Sequence, residues 1–318
     1  MGSDPSSQIP VINFSLVSPE LDRGTKEWHL LCEKVREACE SYGYFEVVYD
    51  KISSVLQAET FSDLKELFGL PLETKKKNVN PNPFYAYAGQ YATASLYESL
   101  GIEDASDPDS VRRFEELMWP QGNDFFSKTI SSITQQMDEL NRTTRTLILD
   151  AYGLGETLNS IMPCTTLLRL TKYKASPNGE YMEGITAHTD KLLSALLCAN
   201  QVFGLEVEAK DGQWIKLFPS PNSFIYMVGD PLMAWSNGRM HAANHRVMME
   251  GYEDRYSLGA FPAPMEGTTI KPIKELVDEE HPQILEEFDY MEFIRFSLSK
   301  ESLTMDSARQ AFAFPGNY

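Results

Sequence analysis

The segment His245-Arg246-Val247-Met248-Met249-Glu250-Gly251-Tyr252-Glu253-Asp254-Arg255-Tyr256-Ser257 decides how this 318-residue chain folds. It contains the strand-like run 245–249 and the beginning of a second run, 255–261, with a turn signal between them. Runs of this kind between turns predict short β-strands. Similar runs precede them, at 165–174, 192–198, 204–209, 214–218 and 224–228. So many short strands in about a hundred residues predict a sandwich or jelly roll.

The half of the chain before this region has a different pattern. Residues 9–14 and 44–49 predict strands, whereas 26–42, 52–69 and 126–153 have the periodicity of amphipathic helices. We therefore expect a mixed α+β fold with a jelly-roll core and N-terminal helices. We found no linker and expect a single integrated catalytic unit over 1–318. Within it we expect a helix-rich region at 1–160, the core with the binding sites at 161–265, and a helical or coil cover at 266–318.

Composition limits the classes of partner. With 42% hydrophobic residues the chain can bury a full core, and 28 basic against 46 acidic residues give a net charge of −18. Such an acidic surface argues against nucleic acid and anionic membranes, but it allows a small-molecule pocket that is locally basic. Four cysteines without a CxxC pair, and polar first residues, lead us to expect a cytoplasmic protein. No exposed amphipathic helix requires a partner, so we expect a monomer.

Two histidines and an aspartate form a candidate metal site. His188 and Asp190 stand two residues apart, which places both side chains on one face of an extended segment. His245 supplies the second imidazole from a later strand. Two histidines and one carboxylate can hold one face of Fe(II) and leave the other positions open. We expect His241 to lie near the site or at the surface, and Asp230 to form a turn rather than to bind the metal.

A second pattern follows ten residues after His245. Arg255 and Ser257 are also two residues apart and point to one side of a predicted strand. A guanidinium and a hydroxyl on one face suit a carboxylate. A buried cation on the inner face of a barrel is costly without an anion, so this pair predicts a site for an acidic ligand.

Together these motifs resemble the plant Fe(II)- and 2-oxoglutarate-dependent dioxygenase family, over nearly the whole chain. The motifs that carry the resemblance are Ile9-Pro10-Val11-Ile12-Asn13, Gly43-Tyr44-Phe45-Glu46-Val47, Leu70-Pro71-Leu72-Glu73-Thr74-Lys75, Arg169-Leu170-Thr171-Lys172-Tyr173, His188-x-Asp190, Asn237-Gly238 before His245-Arg246, and Arg255-x-Ser257. Tyr49-Asp50-Lys51 stands where the family commonly has Asn-His-Gly, and Thr171 where many members have Asn. Both departures resemble the branch that contains the AOP enzymes.

The resemblance implies a double-stranded β-helix and a role for each motif. Fe(II) would be held by His188, Asp190 and His245, and the far carboxylate of 2-oxoglutarate by Arg255, Ser257 and Tyr173. O2 would be the oxidant and ascorbate a reductant, and the reaction would oxidise, by default hydroxylate, a C–H bond while forming succinate and CO2. The substrate would be a small, hydrophobic plant specialised metabolite. The aromatic-rich candidates for contacting it are Phe84, Tyr87, Phe114, Met118, Trp119 and Phe261.

Two alternatives remain open from the residues alone. One is an iron-dependent oxidase of the same fold that does not use 2-oxoglutarate, since Arg255 and Ser257 could bind another carboxylate. The other is a barrel that binds a small molecule without turnover. Succinate release distinguishes the first alternative, and iron content with oxygen uptake distinguishes the second.

Overall fold

A computed structural model of the chain describes residues 9–15, 22–91, 94–155, 163–302 and 305. Within these ranges the strands are β1 Val11–Asn13, β2 Tyr44–Val48, β3 Ala88–Tyr91, β4 Ala94–Ile102, β5 Cys164–Tyr173, β6 Met182–His188, β7 Ser194–Ala199, β8 Leu205–Glu208, β9 Trp214–Lys216, β10 Phe224–Val228, β11 His245–Met249, β12 Arg255–Pro264, β13 Thr269–Ile270 and β14 Phe288–Asp289. The α-helices are α1 Lys26–Ser41, α2 Ser54–Gly69, α3 Leu72–Lys75, α4 Pro108–Met118, α5 Asp124–Ala151, α6 Asp230–Trp235 and α7 Tyr290–Ser297.

Two sheets form the core. The larger has eight strands in the order β1-β2-β10-β7-β12-β5-β4-β3, and the smaller has four in the order β6-β11-β8-β9. One cavity is lined by side chains from both sheets, including Tyr173 and Arg255 of the larger sheet and Ile185 and Val247 of the smaller. The sheets therefore face each other across this cavity, as the predicted jelly roll requires.

The three long helices α1, α2 and α5 pack against the larger sheet. Helix α1 is capped at its N-terminus by Thr25, whose hydroxyl accepts a hydrogen bond from the Trp28 N–H, and its apolar stripe is buried. The indole of Trp28 donates to Asp150 of α5 at 2.9 Å. Asn141 of the same long helix donates to the carbonyl of Ala260 in β12. Helix α5 thus connects the helical layer to the sheet that carries Arg255. Within the described ranges, no helix combines the length and the apolar character that crossing a bilayer requires.

The predicted helices at 26–42, 52–69 and 126–153 and the seven predicted strands of the core are all present, with ends shifted by a few residues. The strands β4 and β6 and the helix α4 were not predicted. Residues 1–8 and all residues beyond 302 except 305 lie outside the described part, so the predicted tail is only partly described.

Candidate active site

The register of two strands brings the candidate metal ligands together. His188, the last residue of β6, lies directly opposite His245, the first residue of β11. Their ring centroids are 4.3 Å apart. The Oδ1 atom of Asp190 lies 4.0 Å from Nε2 of His188 and 3.8 Å from Nε2 of His245. Three potential ligand atoms, one from each residue, all lie within 4.8 Å of one another, so the three side chains can reach one ion.

Hydrogen bonds orient both imidazoles. Nδ1 of His188 lies 2.8 Å from the carbonyl of Thr186, and Nδ1 of His245 lies 3.0 Å from the carbonyl of Ala243. A carbonyl only accepts, so each Nδ1 carries the proton and each Nε2 presents its lone pair to the site. Burial, and after it the neighbouring His245, lowers the pKa of the His188 imidazole to about 4. The ring therefore stays neutral, as metal binding requires.

Asp190 completes a donor set that fits Fe(II). Its Oδ2 atom is buried and lacks a hydrogen-bond partner among the described residues, which is costly for a carboxylate without a cation. Two neutral imidazoles and one carboxylate are the ligands of non-haem Fe(II) sites with open positions. In the described part of the chain, this is the one group of three such residues close enough to share an ion.

Asp230 has a larger role than the predicted turn. It is 1% exposed, it begins α6, and its carboxylate accepts hydrogen bonds from Lys191 at 2.6 Å and from Thr189 at 3.0 Å. Its backbone N–H also donates to the carbonyl of Asp190 at 2.8 Å. As expected, Asp230 is not among the three converging ligand candidates, but instead of a turn it begins helix α6 and forms a buried ion pair with Lys191, the residue next to Asp190.

The predicted anion clamp lies on two paired strands. Arg255 is directly opposite Tyr173, and Ser257 is opposite Thr171. The guanidinium carbon of Arg255 lies 5.5 Å from the ring centroid of Tyr173, and Nε of Arg255 is buried without a hydrogen-bond partner among the described residues. Burial also raises the pKa of Tyr173 above its ordinary value, so its hydroxyl stays protonated. The buried guanidinium and the neutral hydroxyl donor beside it suit a carboxylate.

These groups share a cavity of about 230 Å³ with the metal-site residues. Of the six aromatic and apolar side chains expected to contact substrate, Phe84 and Phe261 line the cavity. Tyr87 instead donates to Glu98. Phe114 and Trp119 pack on Phe126, and Met118 is 1% exposed. None of these last four side chains lies on the cavity wall.

His241 lies apart from the metal site. It lines a separate pocket with Tyr44 and Lys210, and its backbone N–H donates a hydrogen bond to the carbonyl of Cys39. Sequence reasoning missed the role of Arg169. This residue lines the same cavity as the metal-site residues and donates hydrogen bonds to the carbonyls of Phe84 and Ala86. The available signal was its position in β5, two and four residues before Thr171 and Tyr173 on the same face.

Comparison with known proteins identifies the architecture. Residues 164–264 match the 2OG-Fe(II) oxygenase superfamily, and residues 9–121 match the N-terminal region of the non-haem dioxygenases in morphine synthesis. The probable 2-oxoglutarate-dependent dioxygenase AOP1.2 of Arabidopsis thaliana is 40% identical over 315 residues, which cover 97% of this chain and 96% of that protein. The rice dioxygenase for auxin oxidation is similar in structure, with a TM-score of 0.82, 27% identity, and coverage of 96% and 99%.

A second solved structure contains the cosubstrate. It is the 2-oxoglutarate complex of the dioxygenase for auxin oxidation 1 from Arabidopsis thaliana, with a TM-score of 0.78 and 28% identity. The likeness covers 86% of this chain and 100% of that one. These likenesses confirm the predicted resemblance and the predicted jelly-roll fold.

Proposed function

The chain belongs to the 2-oxoglutarate- and Fe(II)-dependent dioxygenases, and from this premise we propose that it hydroxylates a C–H bond of a small, mostly apolar plant metabolite. The observation that carries the proposal is the convergence of His188, Asp190 and His245 in one cavity with the guanidinium of Arg255, whose buried Nε has no hydrogen-bond partner among the described residues. Both halves of the site line the same cavity, so the metal and the cosubstrate would meet where a substrate can enter.

We assign the three convergent side chains to the metal. His188 and His245 would bind Fe(II) through Nε2, because Nδ1 of each ring is held by a backbone carbonyl. Asp190 would bind through a carboxylate oxygen, with its loop held by the Lys191–Asp230 ion pair. When bound, Fe(II) with 2-oxoglutarate and O2 supplies the oxidising chemistry that yields succinate and CO2.

We assign Arg255, Ser257 and Tyr173 to the far carboxylate of 2-oxoglutarate. Arg255 offers the charge and a fork of donors, and the Tyr173 and Ser257 hydroxyls lie on the same cavity wall. The apolar side chains around them exclude water, which strengthens each charged contact and protects the reaction from side products.

The substrate class rests on the cavity and on relatives. The cavity has an apolar wall formed by one cluster of side chains, Phe84, Phe261, Leu167 and Leu192. Among the similar proteins, two are named for the oxidation of auxin, which is a small organic molecule. These two observations support a small metabolite with an apolar body.

We further propose that the enzyme works as a monomer in the cytoplasm, with ascorbate as reductant and without nucleic-acid or membrane partners. The four cysteines are free thiols, as in a reducing compartment, and the net charge of −18 disfavours polyanionic partners. Size-exclusion chromatography with light scattering tests the monomer, and localisation of a fluorescent fusion tests the compartment.

A succinate assay tests the function. The full-length protein is incubated with Fe(II), ascorbate and 2-oxoglutarate against a panel of plant metabolites, and succinate is measured with and without each metabolite. We expect at least one metabolite to stimulate succinate formation and to gain one oxygen atom in equal amount. Oxidation of a metabolite without succinate would favour the oxidase, and bound iron without oxygen uptake would favour the non-catalytic barrel.

A further inference from the structure

The charges on the cavity wall do not balance. Three cationic side chains line it, Arg169, Lys191 and Arg255, but among the described residues that line it the one carboxylate is Asp190. Lys191 is neutralised by Asp230, which contacts it at 2.6 Å from behind the wall. Arg169 and Arg255 have no described carboxylate within ion-pair distance, so two cations face one anion in the same cavity.

The excess of positive charge persists when the Fe(II) and the 2-oxoglutarate of the proposed function are included. The inference therefore rests on that function. Fe(II) and dianionic 2-oxoglutarate cancel in charge. Asp190 and Arg255 cancel as well, and so do Lys191 and Asp230. One positive charge, that of Arg169, remains. A charge in a partly desolvated cavity is unfavourable unless a counter-charge reaches it.

The contacts of Arg169 hold its charge in place without neutralising it. Its Nη1 donates to the carbonyls of Phe84 and Ala86, and its Nη2 donates to the hydroxyls of Tyr97 and Ser99. All four acceptors are uncharged. The guanidinium is therefore fixed at the wall of the cavity with its full positive charge.

The same contacts leave one hydroxyl proton free. The oxygens of Tyr97 and Ser99 both accept from Arg169 and lie 2.7 Å apart, so one hydroxyl donates to the other. The remaining hydroxyl proton has no acceptor among the described residues. Ser99 is fully buried, whereas Tyr97 lines the cavity. The hydroxyl of Tyr97 can thus donate into the cavity while the neighbouring guanidinium strengthens it as a donor.

We propose that Arg169 and Tyr97 form the anion-binding end of the substrate site, and that the substrate is a monocarboxylic acid with an apolar body. The carboxylate accepts the Tyr97 hydroxyl and neutralises Arg169. The apolar body lies against Phe84 and Phe261, which line the same cavity. Arg169 also donates hydrogen bonds to the backbone carbonyls of the Phe84 segment. One side chain therefore supports both the proposed carboxylate-binding end and the apolar wall of the site.

Calorimetric binding of matched acids and amides tests this proposal. The probes are phenylacetate, 3-phenylpropionate and 4-phenylbutyrate, each with its neutral primary amide, titrated into Fe(II)- and 2-oxoglutarate-loaded enzyme without O2. We expect at least one acid to bind about tenfold more tightly than its amide, because a hydrogen bond to a charged group is worth about a factor of ten or more. In Arg169→Gln the affinity for the acid should fall about tenfold, and the affinity for the amide about twofold or less.

Further variants keep the test sharp if Arg169→Gln folds poorly. Arg169→Lys retains the charge and should keep part of the preference for the acid, and Tyr97→Phe should weaken the acid by a smaller factor. Arg112→Gln, at an exposed position on α4, is the matched control and should change nothing. Equal binding of acid and amide, or no measurable binding of any acid, overturns the proposal. So does an Arg169→Gln variant that binds 2-oxoglutarate weakly while its acid preference is unchanged. Failure of the wild-type protein to bind 2-oxoglutarate would instead contradict the proposed function.

Discussion

At the scale of single residues, geometry separates the histidines assigned to the metal from the others. His188 and His245 direct Nε2 toward Asp190, whereas His241 lines a different pocket. We expect His245→Ala to lose bound iron and turnover, because two remaining ligands hold Fe(II) weakly. His241→Ala should keep both. Iron per protein after desalting, with succinate formation, is the measurement. Retention of iron in His245→Ala together with its loss in His241→Ala would refute the assignment.

Arg255 should control the cosubstrate rather than the substrate. Arg255→Lys keeps the charge but loses the planar fork, and we expect about a ten- to hundredfold higher 2-oxoglutarate requirement. Ser257→Ala should raise it by less, since a neutral donor is lost. The control is Arg246→Lys, since Arg246 pairs with Glu206 and does not line the cavity. Titration of 2-oxoglutarate at saturating substrate decides. A raised substrate requirement with unchanged cosubstrate dependence would reassign Arg255 to the substrate.

The sequence could predict those site residues whose chemistry is local. His188 and Asp190, or Arg255 and Ser257, are two residues apart on extended segments, so their convergence is visible without a fold. The ion pair of Asp230 could not be predicted because its partner Lys191 is 39 residues earlier in the chain, on a different segment. Arg169 was not recognised as a cavity residue for the same reason, because Tyr97 and Phe84 come from distant segments.

At the scale of elements, long-range pairing also explains what was missed. In strand β4 the side chains of Leu96, Leu100 and Ile102 are buried, but Glu98 interrupts this apolar row at a buried position. Lys75 makes that burial possible, since its Nζ lies 2.7 Å from the carboxylate. A partner on helix α3 cannot be read from the strand itself. Helix α4, in contrast, carried a local signal, because Asp107 caps it and Pro108 begins it.

The packing of α2 on α5 has a pH-dependent weak point. Asp63 of α2 is 4% exposed, and burial raises the pKa of its carboxyl from 3.8 to about 6, opposed in part by a hydrogen bond with Thr129. The folded state therefore binds this proton more tightly than the unfolded state, and stability falls as the pH rises through about 4 to 6. Above that range the Asp63 carboxyl is ionised, and the full cost of burying its charge lowers the stability of the fold.

Replacing Asp63 by Asn removes this titration. We expect Asp63→Asn to raise the melting temperature relative to wild type by more at about pH 8 than at about pH 5. Thermal unfolding of both proteins at the two pH values measures it. Asp109→Asn, at an exposed position on α4, should show no such difference. A gain that is the same at both pH values would mean that the Asp63 carboxyl does not titrate with a raised pKa.

At the scale of the whole molecule, we propose that helices and jelly roll form one cooperative unit. Buried residues of α1, α2 and α5 share one apolar cluster with residues of the larger sheet, among them Leu258 and Ala260 of β12. Asn141 of α5 donates to β12, the strand that begins with Arg255. The helical layer therefore supports the strand on which the cosubstrate clamp lies, and unfolding of one should disrupt the other.

Leu147→Ala tests this coupling from the side remote from the cavity. Leu147 of α5 is fully buried in the shared cluster, so its truncation should cost about 2–5 kcal/mol of unfolding free energy. In one unit, the loss of helix by circular dichroism and the loss of bound iron should both move to lower temperature by the same amount. Leu30→Ala, at a position of α1 that is 48% exposed, should shift neither by much. An earlier loss of helix with iron retained to the wild-type temperature would show that the jelly roll is stable without its helical layer.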